Sequence, residues 1–232
     1  MGKINPGSPS FLADLDQFAS HPRFCGIRCG ASELLDSPSC AEQLRSLAER
    51  DLQLDFAGGP DEIQQMLAVL PAAPTLRVVI NHMGSPIFEA GAAPDVRHSP
   101  PPRSSVPCLK SLCRQAEWAA TMRNAAEFEN VWMKVSGVFE AISTTAEPPA
   151  PTELDAYRPH LDLLWDCFGA ERLVYGSNWP VCNRCGDPEE VYAAQLDVLT
   201  EWAAGKGAAT VEGLFWRNAL EAYRYDDSRE HA

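Results

Sequence analysis

A chain of 232 residues is long enough for one large α/β domain with a sizeable core. With 45% hydrophobic and 22% charged residues, its composition is that of a globular protein rather than a disordered one. Its 19 Lys and Arg against 32 Asp and Glu give a net charge of −13, which argues against binding to nucleic acid or to an anionic membrane surface.

No stretch of the sequence approaches the roughly 20 apolar residues needed to span a bilayer, and residues 1–11 have no apolar core like that of a signal peptide. We therefore expect a cytoplasmic protein. Its 8 cysteines are then expected to be reduced thiols. Cys182 and Cys185 have CxxC spacing, but no second pair of zinc ligands is apparent, which favours two thiols in a loop.

Five short apolar or β-branched runs predict β-strands. They lie at residues 24–29, 52–56, 76–82, 131–137 and 172–178, and residues 2–4 are a candidate sixth. Most of these runs are too continuous to have one wet face, which favours parallel strands that are covered on both sides.

Helical patterns lie between and after these runs. They cover residues 40–50, 61–70, 108–128, 152–168, 187–204 and 210–224. Thr152 with Asp155 resembles a capping box, and Asp187-Pro188 is a typical helix start. Strands that alternate with helices predict βαβ units and a parallel sheet in a single domain.

Two segments interrupt the alternation of strands and helices. Residues 84–107 are rich in Pro, Ala and Ser, residues 140–151 form a second such interruption, and each follows the carboxyl end of a predicted strand. In barrels and open α/β sheets that end carries the functional site. We therefore expect two long loops beside the site.

Polar side chains and one tryptophan mark the ends of the predicted strands. They are Arg28, Asp55, His82, Lys134, Ser136, Asn178 and Trp179. At the mouth of a parallel barrel such groups converge on one cavity.

Each of these residues has a functional and a structural interpretation. His82 could shuttle a proton or bind a metal, or could be held by a neighbouring carbonyl. Arg28 suits bidentate binding of a substrate carboxylate, or a salt bridge at the rim. Lys134 and Ser136 could bind a ligand or cap their strand, and Asp55 could cap the turn that follows it.

Several stretches together resemble one family. They are RLVYGSNWPVC (172–182), INHMGSP (80–86), NVWMKVSG (130–137), PSFLADLDQFASHPRFCGIR (9–28) and RNALEAY (217–223). They resemble the amidohydrolase-related metal-dependent hydrolases, and more closely their fuconolactonase-like and pyrone-dicarboxylate-lactonase-like branch. The resemblance covers almost the whole chain.

The resemblance implies a (β/α)₈ TIM-barrel fold and hydrolysis of small cyclic esters or amides by an activated water. Many relatives bind a divalent ion, which implies zinc or manganese with His82 as a ligand, whereas lactonases of this branch can act without a metal. His82 and Asn178 fall on catalytic positions. Arg28 falls on a substrate contact, and Trp179 is expected to pack as the wall of the cavity.

Two departures from the family pattern bear on function. Residue 178 is Asn where the family has an acid, and an amide cannot take a proton as a carboxylate does. The family opens with a D-x-H-x-H strand, and this sequence contains no His-x-His. We therefore expect a barrel that is incomplete at its N-terminus, with open sheet edges that a homo-oligomer could cover.

Three hypotheses follow. The first is a hydrolase of a sugar-acid lactone, with His82 and Asn178 as catalytic residues and Arg28, Lys134, Ser136 and Trp179 as substrate-binding residues. The second is a truncated remnant with impaired or no catalysis. The third is a binding module for a small sugar acid. If the turn at residue 178 is functional, Asn178→Asp should keep or raise activity.

Overall fold

The computed structural model describes residues 1–86, 106–143 and 150–225. In this part of the chain, helices alternate with five strands that form one parallel sheet in the order β1-β2-β3-β4-β5. The strands are β1 (Gly26–Gly30), β2 (Gln53–Ala57), β3 (Arg77–Ile80), β4 (Val131–Val135) and β5 (Leu173–Tyr175). The predicted α/β class and the parallel sheet are confirmed.

The helices follow the strands in sequence, apart from α1. They are α1 (Phe11–Ala19), α2 (Ala31–Leu35), α3 (Cys40–Glu49), α4 (Pro60–Val69), α5 (Val106–Ala126), α6 (Val138–Ser143), α7 (Arg158–Phe168), α8 (Pro188–Lys206), α9 (Ala208–Glu212) and α10 (Asn218–Ala222). Within the described ranges, no helix is long and apolar enough to cross a membrane.

The two faces of the sheet are packed differently because successive strand residues point to opposite sides. Val78 and Ile80 belong to the large core that the sheet shares with the surrounding helices. Val79, which lies between them, belongs to a separate small cluster with Trp132 and Val174. Ala222 completes this second cluster, so α10 covers part of the face opposite to the main core.

The polar strand residues share the face of this small cluster. In the register of the sheet, Arg28 lies opposite Asp55, and Asp55 lies opposite Val79. Lys134 is two residues beyond Trp132 and lies opposite Val174. In a closed parallel barrel this face is the interior. The alternation therefore brings the candidate site residues to one side of the sheet.

The sheet is not closed into a barrel within the described residues. β1 and β5 are its first and last strands. The candidate sixth strand at residues 2–4 amounts to a single parallel bridge between Gly2 and Ile27, in which Gly2 N donates to Gly26 O at 2.9 Å. The sheet is thus an open arc of parallel strands.

Several element boundaries differ from those predicted. The helix expected over 152–168 begins at Arg158, because the ring of Pro159 would clash with the carbonyl of residue 155 if the helix began earlier. The expected closing helix over 210–224 is divided into α9, a π-helical turn at Gly213–Arg217 and α10. The start at Asp187 is confirmed, since its side chain accepts from the N–H groups of Glu189 and Glu190.

Three short helices were not identified from the sequence. α1 and α2 precede and follow β1, and α6 follows β4 directly. Because α6 extends to Ser143, the loop expected over 140–151 starts later than predicted, and its residues 144–149 lie outside the described ranges. Most of the other expected loop, residues 87–105 of 84–107, also lies outside them.

Replacing Gly26 by Ala tests the close pairing of β1 with β2. An added Cβ would overlap the backbone oxygen of Gln53 and lie 2.8 Å from its carbonyl carbon, so the strands would have to separate. We expect the free energy of unfolding, measured by urea denaturation, to fall by about 1–3 kcal/mol.

Gly205→Ala in α8 is the matched control, since a Cβ at that position meets no atom within 4 Å. Alanine is favoured over glycine in a helix by about 1 kcal/mol, so this variant should unfold at higher urea than the wild type. Equal stability of the two variants would contradict the close approach at Gly26.

Candidate active site

Three predicted residues form one hydrogen-bonded chain at the carboxyl end of the sheet. Nη2 of Arg28 lies 3.1 Å from Nε2 of His82, and Nδ1 of His82 lies 2.9 Å from Oγ of Ser136. β1, the turn after β3 and the end of β4 each contribute one member. Arg28 lies 54 positions before His82 in the sequence, and Ser136 lies 54 positions after it. The structure brings all three together.

The tautomer of His82 follows from its partners. A guanidinium only donates hydrogen bonds, so Nε2 accepts from Arg28 and Nδ1 carries the proton that is donated to Ser136. Burial, followed by the charges of Arg28 and Lys134, lowers the pKa of His82 from 6.5 to about 4. The imidazole is therefore neutral at physiological pH, and its surroundings are positively charged although the whole chain is acidic.

A second polar cluster lies at the centre of this face of the sheet. Nζ of Lys134 donates to Oδ2 of Asp55 at 2.8 Å and to Oδ1 of Asn81 at 2.9 Å. The hydroxyl of Tyr223, which directly follows α10, donates to Oδ1 of Asp55 at 3.1 Å. Asp55 is thus the partner of a lysine rather than the cap of its own turn.

The backbone is left-handed at two of the predicted catalytic positions. φ is 53° at His82 and 57° at Asn178, and the turn after β3 continues with φ of 54° at Met83. Left-handed conformations cost non-glycine residues roughly 1–2 kcal/mol, and Asn tolerates them best. These turns end β3 and β5 earlier than the sequence predicted. Backbone strain of this kind is concentrated at functional sites.

Asn178 contacts an acidic residue that the sequence analysis missed. Its Nδ2 donates to Oε1 of Glu140 at 2.7 Å. Burial raises the pKa of Glu140, while hydrogen bonds from a backbone N–H and from Asn178 and the charge of Arg184 lower it to a smaller extent. Glu140 lies four residues after Ser136, in a stretch interpreted as loop, and its proximity to residue 178 depends on how β4 and β5 pair.

Trp179 lies beside Asn178, and its side chain is 68% exposed. On the other side of the site, a cavity of about 330 Å³ opens next to Arg28, with Gly30, Glu33 and Ala57 among its lining residues. The site is therefore an open one, with the guanidinium of Arg28 accessible from solvent.

The described residues around His82 do not offer a divalent cation a suitable set of donors. Among residues 1–86, 106–143 and 150–225, no three His, Cys, Asp or Glu side chains are grouped so that they could hold a metal. Arg28 donates to the Nε2 lone pair that a metal would need. Cys182 and Cys185 are buried thiols outside this donor set. This donor set does not fit zinc or manganese.

Comparison with known proteins identifies relatives along almost the whole chain. The profile of the Amidohydrolase family (Amidohydro_2) matches residues 3–225. An L-fucono-1,5-lactonase of Burkholderia ambifaria is 28% identical over 233 residues, which cover 97% of this chain and 70% of that protein. An L-rhamnono-gamma-lactonase of Scheffersomyces stipitis is 27% identical over 177 residues, which cover 75% of this chain and 48% of that protein.

A crystal structure of an amidohydrolase from Burkholderia multivorans with bound zinc is similar in fold. It has a TM-score of 0.75 at 20% identity, and the match covers 97% of this chain and 73% of that one. The predicted TIM-barrel type of fold and the resemblance to fuconolactonase-like relatives are thus confirmed.

Removing the charge of Arg28 tests the electrostatics of the site. In Arg28→Met we expect the pKa of His82 to rise from about 4 toward its ordinary 6.5, because a neighbouring positive charge is lost while the burial remains. NMR titration of the imidazole protons measures the pKa, with His82→Gln used to assign the resonance. Arg45→Met, at an exposed position on α3, should leave the pKa unchanged; a pKa that does not rise in Arg28→Met would contradict this account.

Proposed function

Because the chain belongs to the amidohydrolase family, we propose that it hydrolyses a sugar-acid lactone at the carboxyl end of its sheet. The lactonase names of two relatives support a cyclic ester as substrate. The observation that carries the proposal is the hydrogen-bonded series of Arg28, His82 and Ser136, which combines an accessible cation with a neutral imidazole.

Arg28 is proposed to bind the lactone carbonyl. When water attacks the carbonyl carbon, the oxygen becomes negative, and a guanidinium placed against it stabilises that charge. The same group suits the carboxylate of the product. A small anionic product is compatible with the local positive charge of Arg28 and Lys134, in contrast to the net charge of −13 of the whole chain.

His82 is proposed to orient the attacking water. Once the substrate engages Arg28, Nε2 of His82 is released from the guanidinium and can accept a hydrogen bond from the water. Ser136 accepts from Nδ1 and fixes the plane of the ring. With a pKa of about 4, His82 is a weak base, so it serves to position the water more than to hold its proton.

Lys134, Asn178 and Trp179 are proposed to complete the substrate site. Asp55 and Asn81 hold the ammonium group of Lys134 in place. Its charge adds positive potential beneath the carbonyl. The Asn178 amide would hold the water from the side opposite His82. The exposed indole of Trp179 offers an apolar surface to one face of the sugar ring.

No step of this proposal is routed through a metal, since the described donors do not fit one. The reaction consumes one water. Its oxygen bonds to the carbonyl carbon, the bond from that carbon to the ring oxygen breaks, and the ring oxygen takes a proton to become a hydroxyl.

Lactone assays on the whole chain test this function. We expect turnover of an aldonolactone within a panel that includes L-fucono-1,5-lactone and L-rhamnono-γ-lactone, followed as acid release with a pH indicator. Arg28→Met should lower kcat/KM by about 10²–10³-fold because it removes the carbonyl contact. His82→Gln should lower it by at least about 10²-fold.

Arg45→Met serves as the control and should retain wild-type kinetics. Ligand-induced stabilisation by the same lactones without any acid release would instead favour a sugar-acid binding module. Wild-type rates in His82→Gln would exclude the proposed site.

A further inference from the structure

We propose that Glu140 is the general base that takes the proton of the attacking water. This inference rests on the proposed lactone hydrolysis, a reaction that needs a group to accept the proton of the water. His82 is a weak base, and the amide of Asn178 cannot accept a proton at all. A carboxylate next to Asn178 would supply the missing function.

Glu140 lies next to Asn178. Its Oε1 accepts from Nδ2 of Asn178 at 2.7 Å. A Cβ placed on Gly137 would lie 3.5 Å from that same Nδ2 and 3.6 Å from Nδ1 of His82. The space above Gly137 is therefore bordered by His82 and by Asn178, which is the hydrogen-bond partner of Glu140.

Other carboxylates at this end of the sheet are committed to structural contacts. Asp55 forms an ion pair with Lys134 at 2.8 Å. Oε2 of Glu33 accepts from the backbone N–H of Gly30, and Oε2 of Glu62 accepts from that of Gly59. Glu140 accepts from the side-chain amide of Asn178 and from a backbone N–H, and a carboxylate with about four acceptor positions can also accept from a water.

The surroundings of Glu140 make it a stronger base than an exposed glutamate. Burial raises its pKa, although a backbone hydrogen bond, the Asn178 hydrogen bond and the Arg184 charge oppose the rise. Tyr157 and Cys182 are two titratable groups near this carboxyl in the described part of the chain. Both are buried, and burial raises their pKa values, so both are neutral at physiological pH. A base whose pKa approaches the working pH is the more effective catalyst.

The proposed step balances as follows. The Glu140 carboxylate takes one proton from water as the water oxygen bonds to the lactone carbonyl carbon, and Arg28 holds the resulting oxyanion. When the oxyanion collapses, the bond from carbon to the ring oxygen breaks. The ring oxygen then takes the proton from the carboxyl group, which restores the Glu140 carboxylate.

Glu140→Gln tests the inference, because it keeps the size of the side chain and removes its basicity. We expect kcat/KM to fall by at least about 10²-fold with the thermal midpoint unchanged or raised. In the wild type, kcat/KM should rise with pH through an acidic limb that lies above the ordinary glutamate range, and this limb should be absent in the variant. Glu201→Gln, at an exposed position on α8, is the matched control and should retain both rate and limb.

Three results would overturn the inference. The first is a Glu140→Gln variant that retains more than about a third of the wild-type kcat/KM. The second is a slow variant whose acidic limb persists, since Glu140 would then act only through structure. The third is a wild-type chain that turns over no lactone, which refutes the proposed function and removes the basis of this inference without any variant being made.

If Glu140→Gln does not fold, as judged by circular dichroism, Glu140→Asp decides instead. Its shorter side chain withdraws the carboxylate, so kcat/KM should fall while the acidic limb is retained. An unchanged kcat/KM in this variant would overturn the inference.

Discussion

The ion pair between Lys134 and Asp55 is the interaction on which this face of the sheet depends. The two side chains are only 16% and 5% exposed. Removing such charges from water is costly, and the cost is offset only when further hydrogen bonds satisfy both partners. Asn81 and Tyr223 supply them, so β2, the end of β3, β4 and the segment after α10 are joined around one buried charge pair.

The site above this pair gains its chemistry from the same arrangement. Because Asp55 already neutralises Lys134 in part, Arg28 remains an accessible cation of the site. Burial, followed by the approach of Arg28, lowers the pKa of His82 and keeps it in the neutral form. The two positive side chains explain why the described residues suit an oxyanion or a carboxylate better than a metal ion. The polar face therefore carries local positive charge in a chain that is acidic as a whole.

Residue 178 shows how one contact changes the interpretation of a motif. From the sequence, an amide in this turn appears as the loss of an acid, and Asp would restore it. In the structure, Oε1 of Glu140 lies 2.7 Å from that amide. An Asp at 178 would place two carboxyl groups against each other, and one of them would then hold its proton to a higher pH. An amide at residue 178 instead donates a hydrogen bond to the Glu140 carboxylate.

The sequence by itself determined the parallel α/β order and the family, because apolar periodicity and motif spacing are local properties of the chain. For the same reason it placed five polar residues at strand ends: Arg28, His82, Lys134, Ser136 and Asn178. It did not reveal α6, the later start of α7, or Glu140. Only the tertiary structure decided that Arg28 donates to His82, that Lys134 pairs with Asp55, and that Glu140 meets Asn178. The physical reason is that each of these pairs joins different strands or their flanking segments, and its partners meet only through the register of the sheet.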